Sequence, residues 1–215
     1  MDDSAAFPGF AAHWHSLPDF VLGVTWDICE GRNLAAIRDH FAADAILRSP
    51  AGVLTGTAPL LAQMLGALAE FPDLELLSED IIWCATPQTT DQAAGYHASQ
   101  RILARGRHLG QGRHGLPTGR ATAARVMVDL WCAESRIRDL WLVEDSAARL
   151  AQLGLTPREQ AERQIRVLNG AAGGCRPLSP DTDIEGAYFG RGHPGAPGAD
   201  LKDLLEELMA GGFST

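Results

Sequence analysis

The chain has 215 residues, 46% of them apolar, and its 27 acidic against 18 basic side chains give a formal net charge of -9. That length can bury a core in one ordinary domain with an extension, or in two small ones. The acidic balance argues against a nucleic-acid partner, because binding phosphates needs a basic stripe and the arginines at 101, 105, 107, 113 and 120 form only a local cluster.

Residues 1–18 read as an irregular segment, with Pro8, Gly9 and Pro18. The acidic start Met1-Asp2-Asp3-Ser4 lacks the basic and apolar runs of a signal peptide. No apolar run approaches the roughly 18 residues of a membrane helix. Cys29, Cys84, Cys132 and Cys175 form no C-x-x-C pair, so neither a zinc site nor a thioredoxin-type site is expected. A reduced, soluble, cytoplasmic protein is the expectation. His13 and His15 are two apart, a spacing that shares a face only on a strand, and their surroundings are not strand-like.

Asp19 is a predicted N-cap for a helix to about Glu30, with Phe20, Val21, Val24 and Ile28 as its apolar stripe. Asn33 caps a second short helix that buries Leu34, Ile37 and Phe41. Short strands follow at 45–49 and 52–54. Thr57 then caps a third helix to Phe71 with the stripe Leu60, Leu61, Met64, Leu65 and Leu68. Four long strands are predicted at 74–84, 93–104, 121–132 and 136–143. A loop rich in Gly, Arg and His joins the second of these to the third. A helix over 147–153 stops at Gly154, and a charged helix starts at Pro157. Beyond residue 170 a Gly- and Pro-rich arm precedes an amphipathic helix capped by Asp200. Helices first and strands in series afterwards make an α+β fold with a curved, largely antiparallel sheet.

The stretch 140–145 reads as an apolar strand, Leu-Trp-Leu-Val, that ends beside an acid, Asp145. A carboxylate at such a handover can serve as a base in a pocket with little water, or simply cap the next helix. Period-2 alternation puts Arg125, Met127, Asp129 and Trp131 on one strand face and Val126, Val128 and Leu130 on the other. The mixed face suits either solvent or a lined pocket. Tyr96 and Gln100 share one face of their strand, and His97 and Arg101 the other. Arg125 and Asp129 form either an ion pair or part of a site. His108 and His114 lie in the loop, where histidines are more often solvated than functional. Met64 in a helical stripe is more often core than ligand contact. No serine-nucleophile elbow, phosphate loop or dinucleotide fingerprint is present.

Several segments together resemble the SnoaL-like polyketide cyclases of the nuclear transport factor 2-like superfamily, over roughly residues 19–156. They are Phe71-Pro72-Asp73-Leu74, the Gly-x-His-x-Gly at 106–110, Pro117-Thr118-Gly119, Trp141 with Asp145, and Gln152-Leu153-Gly154. The resemblance implies a cone: a curved sheet wrapped around helices, with a small-molecule pocket inside, a tendency to dimerise, and residues 157–215 as an extension. It implies that Asp145 is the acid/base of an intramolecular aldol closure on a polyketide-like or other small carbonyl substrate, with no metal and no cofactor. Gln100, Arg125, Trp131 and Trp141 are the expected donors, and His97 and His108 the candidate histidine partners. The expected site is thus Asp145, Asp129 and Arg125 as the reacting set, with Gln100, His97, Trp131, Trp141, Met64 and His108 around the substrate. Two other readings stay open. One is an epoxide-hydrolase-like set of Arg125 between Asp129 and Asp145, or another isomerase-type member. The other is a non-catalytic ligand pocket in which Asp145 is a cap. A homodimer, without nucleic acid or membrane, is the expected state.

Overall fold

The structure, a computed structural model, describes residues 9–87, 94–170 and Ser179. The arm beyond 170 and the helix expected after Asp200 lie outside these residues, as does most of the turn expected after Pro87. The chain divides into two units, Met1–Leu178 and Ser179–Thr215, and the elements below belong to the first.

Helix α1 (Leu17–Cys29) starts one turn earlier than predicted. Its cap is Ser16, whose Oγ accepts the Asp19 N–H at 3.2 Å. Pro18 fits in the first turn because no helical partner is needed there for its missing N–H. The predicted stripe Phe20, Val21, Val24 and Ile28 is buried. The short α2 (Ala36–His40) runs straight into β1 (Phe41–Ser49). Strand β1 is longer than expected because Phe41 pairs with Ile137 on the last strand, so Phe41 begins a strand instead of ending a helix. After β2 (Gly52–Thr55), helix α3 (Thr57–Glu70) begins behind Gly56, which has φ 90° and makes no side-chain cap bond. Of the predicted α3 stripe, Leu65 is 50% exposed, because it sits on the edge of the arc set by Leu60, Leu61, Met64 and Leu68.

Strands β3 (Glu75–Thr86), β4 (Gly95–Arg107), β5 (Ala121–Ala133) and β6 (Arg136–Glu144) are followed by α4 (Ser146–Leu153) and α5 (Pro157–Gly170). Gly154 ends α4 in the left-handed conformation at φ 74°, as its position predicted. The six-stranded sheet has the order β2-β1-β6-β5-β4-β3. Every neighbouring pair is antiparallel except β1 with β6. Register shifts at Ser78/Asp80, at Trp131/Cys132 and between Phe41 and Ile46 add local twist, which curves the sheet around the helices.

Helix α1 packs against β3 and β4, and α3 against β1 and β2. The sheet's inner face, the one toward these helices, carries Ala98, Gln100 and Ile102 of β4, Val126, Val128 and Leu130 of β5, and Leu140 and Leu142 of β6. Burying that aliphatic set against the α1 and α3 stripes supplies most of the driving force for the fold. No helix of the described residues is long and apolar enough to cross a membrane.

Candidate functional site

Among the described residues, the inner face carries a single amide amid its aliphatic neighbours. Gln100 is 1% exposed, yet its position on β4 is set between Ile81 and Val128. Thr25 on α1 donates from Oγ1 to Gln100 Oε1 at 3.4 Å, and Gln100 Nε2 donates to Ser78 Oγ at 3.1 Å. Two partners fix the amide's rotamer and leave it one further N–H and one further lone pair. A buried polar group on an aliphatic wall costs stability unless it is hydrogen-bonded, so these contacts keep the cost small while orienting the side chain. Met64 of α3 packs against the same core.

The other predicted site residues separate from Gln100. Cross-strand register pairs Asp129 with Trp141, Trp131 with both Asp139 and His97, and Met127 with Val143, all on the outer face. Arg125 and Asp129 are exposed there. Arg125 neither reaches Asp129 nor Asp145: its Nε and Nη2 donate to Glu79 at 3.0 and 3.3 Å. That contact holds the Glu79 carboxyl below its usual range. The Arg-between-two-Asp arrangement therefore does not assemble, because Glu79 on β3, reached across β4, takes the guanidinium. Trp141 lies under Arg48, whose guanidinium carbon is 5.1 Å from the ring centroid and which also pairs with Asp139. His97 sits exposed on this face; desolvation lowers its pKa against the opposing pull of Asp139 and Asp129. Asp145 is exposed and caps α4, its Oδ1 accepting the Ala148 N–H at 3.0 Å.

The loop histidines differ most from expectation, for both are buried. His108 has no exposed surface, His114 has 5% and Glu70 has 2%. Glu70 Oε1 lies 3.2 Å from His108 Nε2 and 3.0 Å from His114 Nδ1, and accepts the His114 backbone N–H at 2.7 Å. The Thr118 N–H donates to His108 Nδ1 at 3.3 Å, so the proton of His108 sits on Nε2, facing Glu70. Burial pushes the Glu70 carboxyl up, but the side-chain and backbone hydrogen bonds from His114 bring it below its ordinary value. Next to this group stands Glu144, the residue that sequence reasoning passed over in favour of Asp145. It is paired with Arg113 and, at 3.4 Å, with the buried Arg149. Burial raises the Glu144 carboxyl, and these arginines more than reverse that. Alternation along β6 was the signal for Glu144: Leu140, Leu142 and Glu144 share the inward parity, and Asp145 does not. Among the described residues, no three His, Cys, Asp or Glu side chains are grouped to hold a metal ion.

Against this geometry, a family model described as SnoaL-like polyketide cyclase matches residues 20–153. The chain belongs to the SnoaL-like polyketide cyclase family. Among solved structures it is similar to IdmH, a proposed polyketide cyclase from Streptomyces antibioticus. That similarity is 27% identity over 66% of this chain and all of IdmH, with a TM-score of 0.53. It also resembles AclR, a proposed hydroxylase from Streptomyces galilaeus, at 21% identity over 64% of this chain and 94% of that one, TM-score 0.52. A SnoaL-like polyketide cyclase from Agrobacterium tumefaciens matches at 17% identity over 65% of this chain and 98% of that one, TM-score 0.50. A comparison with curated proteins found no match. The AclR and Agrobacterium likenesses show the fold alone. Within the family's cone, this chain presents one oriented inner amide, an aliphatic β5–β6 wall, and an ion-paired plug behind the end of α3.

Proposed function

We propose that this chain is a cyclase-type protein that holds a polyketide-like or other small carbonyl compound against the inner face of the sheet, with Gln100 binding a carbonyl oxygen. The observation that carries the reading is the buried, doubly anchored Gln100 amide on an otherwise aliphatic wall. An apolar wall with a few placed polar groups is how small-molecule sites achieve orientation. In an aldol closure, a C–H between two carbonyls loses its proton to give an enolate. The enolate carbon bonds to a second carbonyl within the same molecule, and the resulting alkoxide takes the proton back. The free N–H of Gln100 would stabilise the enolate oxygen, and the wall would hold the chain folded so that the reacting carbons meet. No cofactor is needed for this balance. Asp145 stays the proton carrier in this reading, through the carboxylate oxygen that does not accept the Ala148 N–H; because it is exposed and off the inward parity of β6, the reading requires a substrate that extends from Gln100 to the end of that strand.

The test is solvent-deuterium exchange at the central methylene of benzoylacetone, a 1,3-diketone. Gln100→Leu is expected to abolish protein-dependent exchange, and Asp145→Asn to reduce it. A protein that binds the diketone yet never accelerates exchange would leave the second reading, a non-catalytic ligand-binding member of the family. That reading is favoured by the cap role of Asp145 and by the aliphatic run Val126, Val128, Leu140 and Leu142.

A homodimer through the outer face belongs to the same proposal. Ile82 at 67% exposed, Val143 at 59% and Met127 share that face with Trp131 and Trp141, an apolar area that isologous pairing would cover. Val143→Glu is expected to yield monomers in sedimentation velocity if wild type is dimeric.

A further inference from the structure

Gln100 is sealed, so any ligand that reaches it needs a cover to move. Three kinds of cover surround the inner face among the described residues. Helices α1 and α3 are locked by their own hydrogen bonds and by the core cluster. The end beyond Ala104 is blocked by the buried Glu70, His108 and His114 group. The opposite end is covered by the segment 9–16, which forms neither helix nor strand.

That segment holds on through rings. Phe10 sits edge-on between Phe20, at 4.9 Å, and Tyr96, at 5.7 Å. Tyr96 also meets Trp83 at 6.0 Å, and lies on the same β4 face as Gln100, about 13 Å along the strand. Trp14 packs edge-on to Phe20 at 5.4 Å and to His40 at 6.0 Å. Its ring lies so close over Gly23 that a Cβ there would meet it at 2.5 Å. Three polar ties among the described residues are a Ser135 Oγ bond to the Gly9 carbonyl at 3.1 Å, a turn bond from the Trp14 N–H to Ala11, and a His15 N–H bond to Asp19. All three can be replaced by water at little cost. Ring contacts of this kind re-form after opening, because they are non-directional and leave no buried charge unpaired.

We propose that the segment Gly9–Ser16 is the gate to the Gln100 site and that Phe10 is its closing side chain. The opening admits a flat, largely apolar molecule that slides between Phe10 and the Tyr96–Trp83 pair. The proposal rests on the reading of Gln100 as the ligand contact, and its first test is independent of any ligand.

Cys132 is the built-in reporter. It is fully buried and is the direct cross-strand partner of Tyr96, so it lies under the gate. Burial pushes its thiol up to about 12, so it reacts only when opened to water. Cys29 is also buried and also raised to about 12, but it ends α1 about 18 Å from the helix's first residue. In a Cys84→Ser, Cys175→Ser background, labelling by methyl methanethiosulfonate is followed at both cysteines by peptide mass spectrometry. Phe10→Ala is expected to speed Cys132 labelling about tenfold, the factor that follows from a gate weakened by roughly 1.4 kcal/mol, with Cys29 unchanged. Gly23→Ala, which keeps Phe10 and favours the helix, should do the same by displacing Trp14. An unchanged Cys132 rate in both variants overturns the gate. So does an equal rise at Cys29, which reports opening of the whole domain.

The second test follows benzoylacetone binding by stopped-flow tryptophan fluorescence. Phe10→Ala should raise the association and dissociation rates together and leave Kd nearly unchanged, whereas Gln100→Leu should weaken Kd. Faster Cys132 labelling combined with an unaffected Kd in Gln100→Leu would keep the gate and sink the Gln100 reading. A Phe10→Ala variant that weakens Kd with an unchanged association rate would make Phe10 a wall of the site and overturn its role as a gate.

Discussion

At one end of the inner face, Phe10, Trp14, Phe20 and Tyr96 close the space with ring contacts. At the other, the buried Glu70, His108, His114, Glu144 and Arg149, with Arg113 on the rim, close it with hydrogen-bonded and ion-paired groups. Both closures exclude water, but they fail differently. Removing one ring contact loses a share of apolar burial and strands nothing. Removing one member of the charged plug leaves its partners desolvated and unpaired, so the plug holds or fails as a unit. The chain therefore has a soft end and a rigid end on one inner wall. The rigid end also ties the glycine-rich loop to α3: Leu109 and Gly110 donate backbone N–H groups to the Glu70 carbonyl, and Gln160 of α5 donates to the Arg113 carbonyl.

The sharpest way to break this comparison is at Glu70. Glu70→Ala should cost about 3–5 kcal/mol, the range for removing one partner of a buried charged pair, read as a drop in the urea midpoint. A loss near 1 kcal/mol would mean that the plug is no more rigid than the ring end. Acid should act on the same end. Glu70 and Glu144 are both held below the ordinary carboxylate value of 4.5, so each binds its proton less readily folded than unfolded. Their stabilisation is complete above that value and is lost as pH falls through the depressed folded values. Urea midpoints should fall steadily below about pH 4.5, and Glu70→Gln should flatten that slope while lowering stability at neutral pH. A midpoint independent of pH in this range would remove the charged account of the plug.

Smaller effects belong to the soft end and to the cap. Phe10→Ala should cost about 1–2 kcal/mol by thermal or urea unfolding, less than a fully buried Phe→Ala, because the ring is only half-buried. A loss as large as that of Glu70→Ala would erase the difference between the ends. Asp145→Ala should cost about 1 kcal/mol through the lost cap, and Asp145→Asn close to nothing, since Asn caps equally well. If Asp145→Asn keeps its stability yet abolishes diketone exchange, the residue is a proton carrier as well as a cap. Retained exchange would leave the cap as its whole role.

Much of the fold was legible before any coordinates. The α1 stripe, the long alternating strands and Gly154 reported themselves because periodicity is a local property of the chain. The site was less legible. Alternation placed Gln100 correctly on the face shared with Tyr96, but it gave no sign of which face the helices cover. Asp129, Trp131 and Trp141 were drawn into the expected site because their face carries more chemistry, yet the outer face is the one they occupy. Arg125 was expected to meet Asp129 and Asp145. Its partner is Glu79, 46 residues away in sequence, and no spacing rule reports that pair.

The sequence by itself determined the elements, the antiparallel series and the family, because side-chain period, glycine stops and short recognisable runs act within a few residues. Only the tertiary structure decided which carboxylate turns inward. Asp145 and Glu144 are neighbours in the chain, but strand parity and the start of α4 send one to a helix cap and the other into a buried pair with Arg149. The same holds for His108 and His114. Their glycine-rich loop looks solvated in sequence and is largely exposed, yet these two side chains turn inward, because α3 ends on a carboxylate that lies against both.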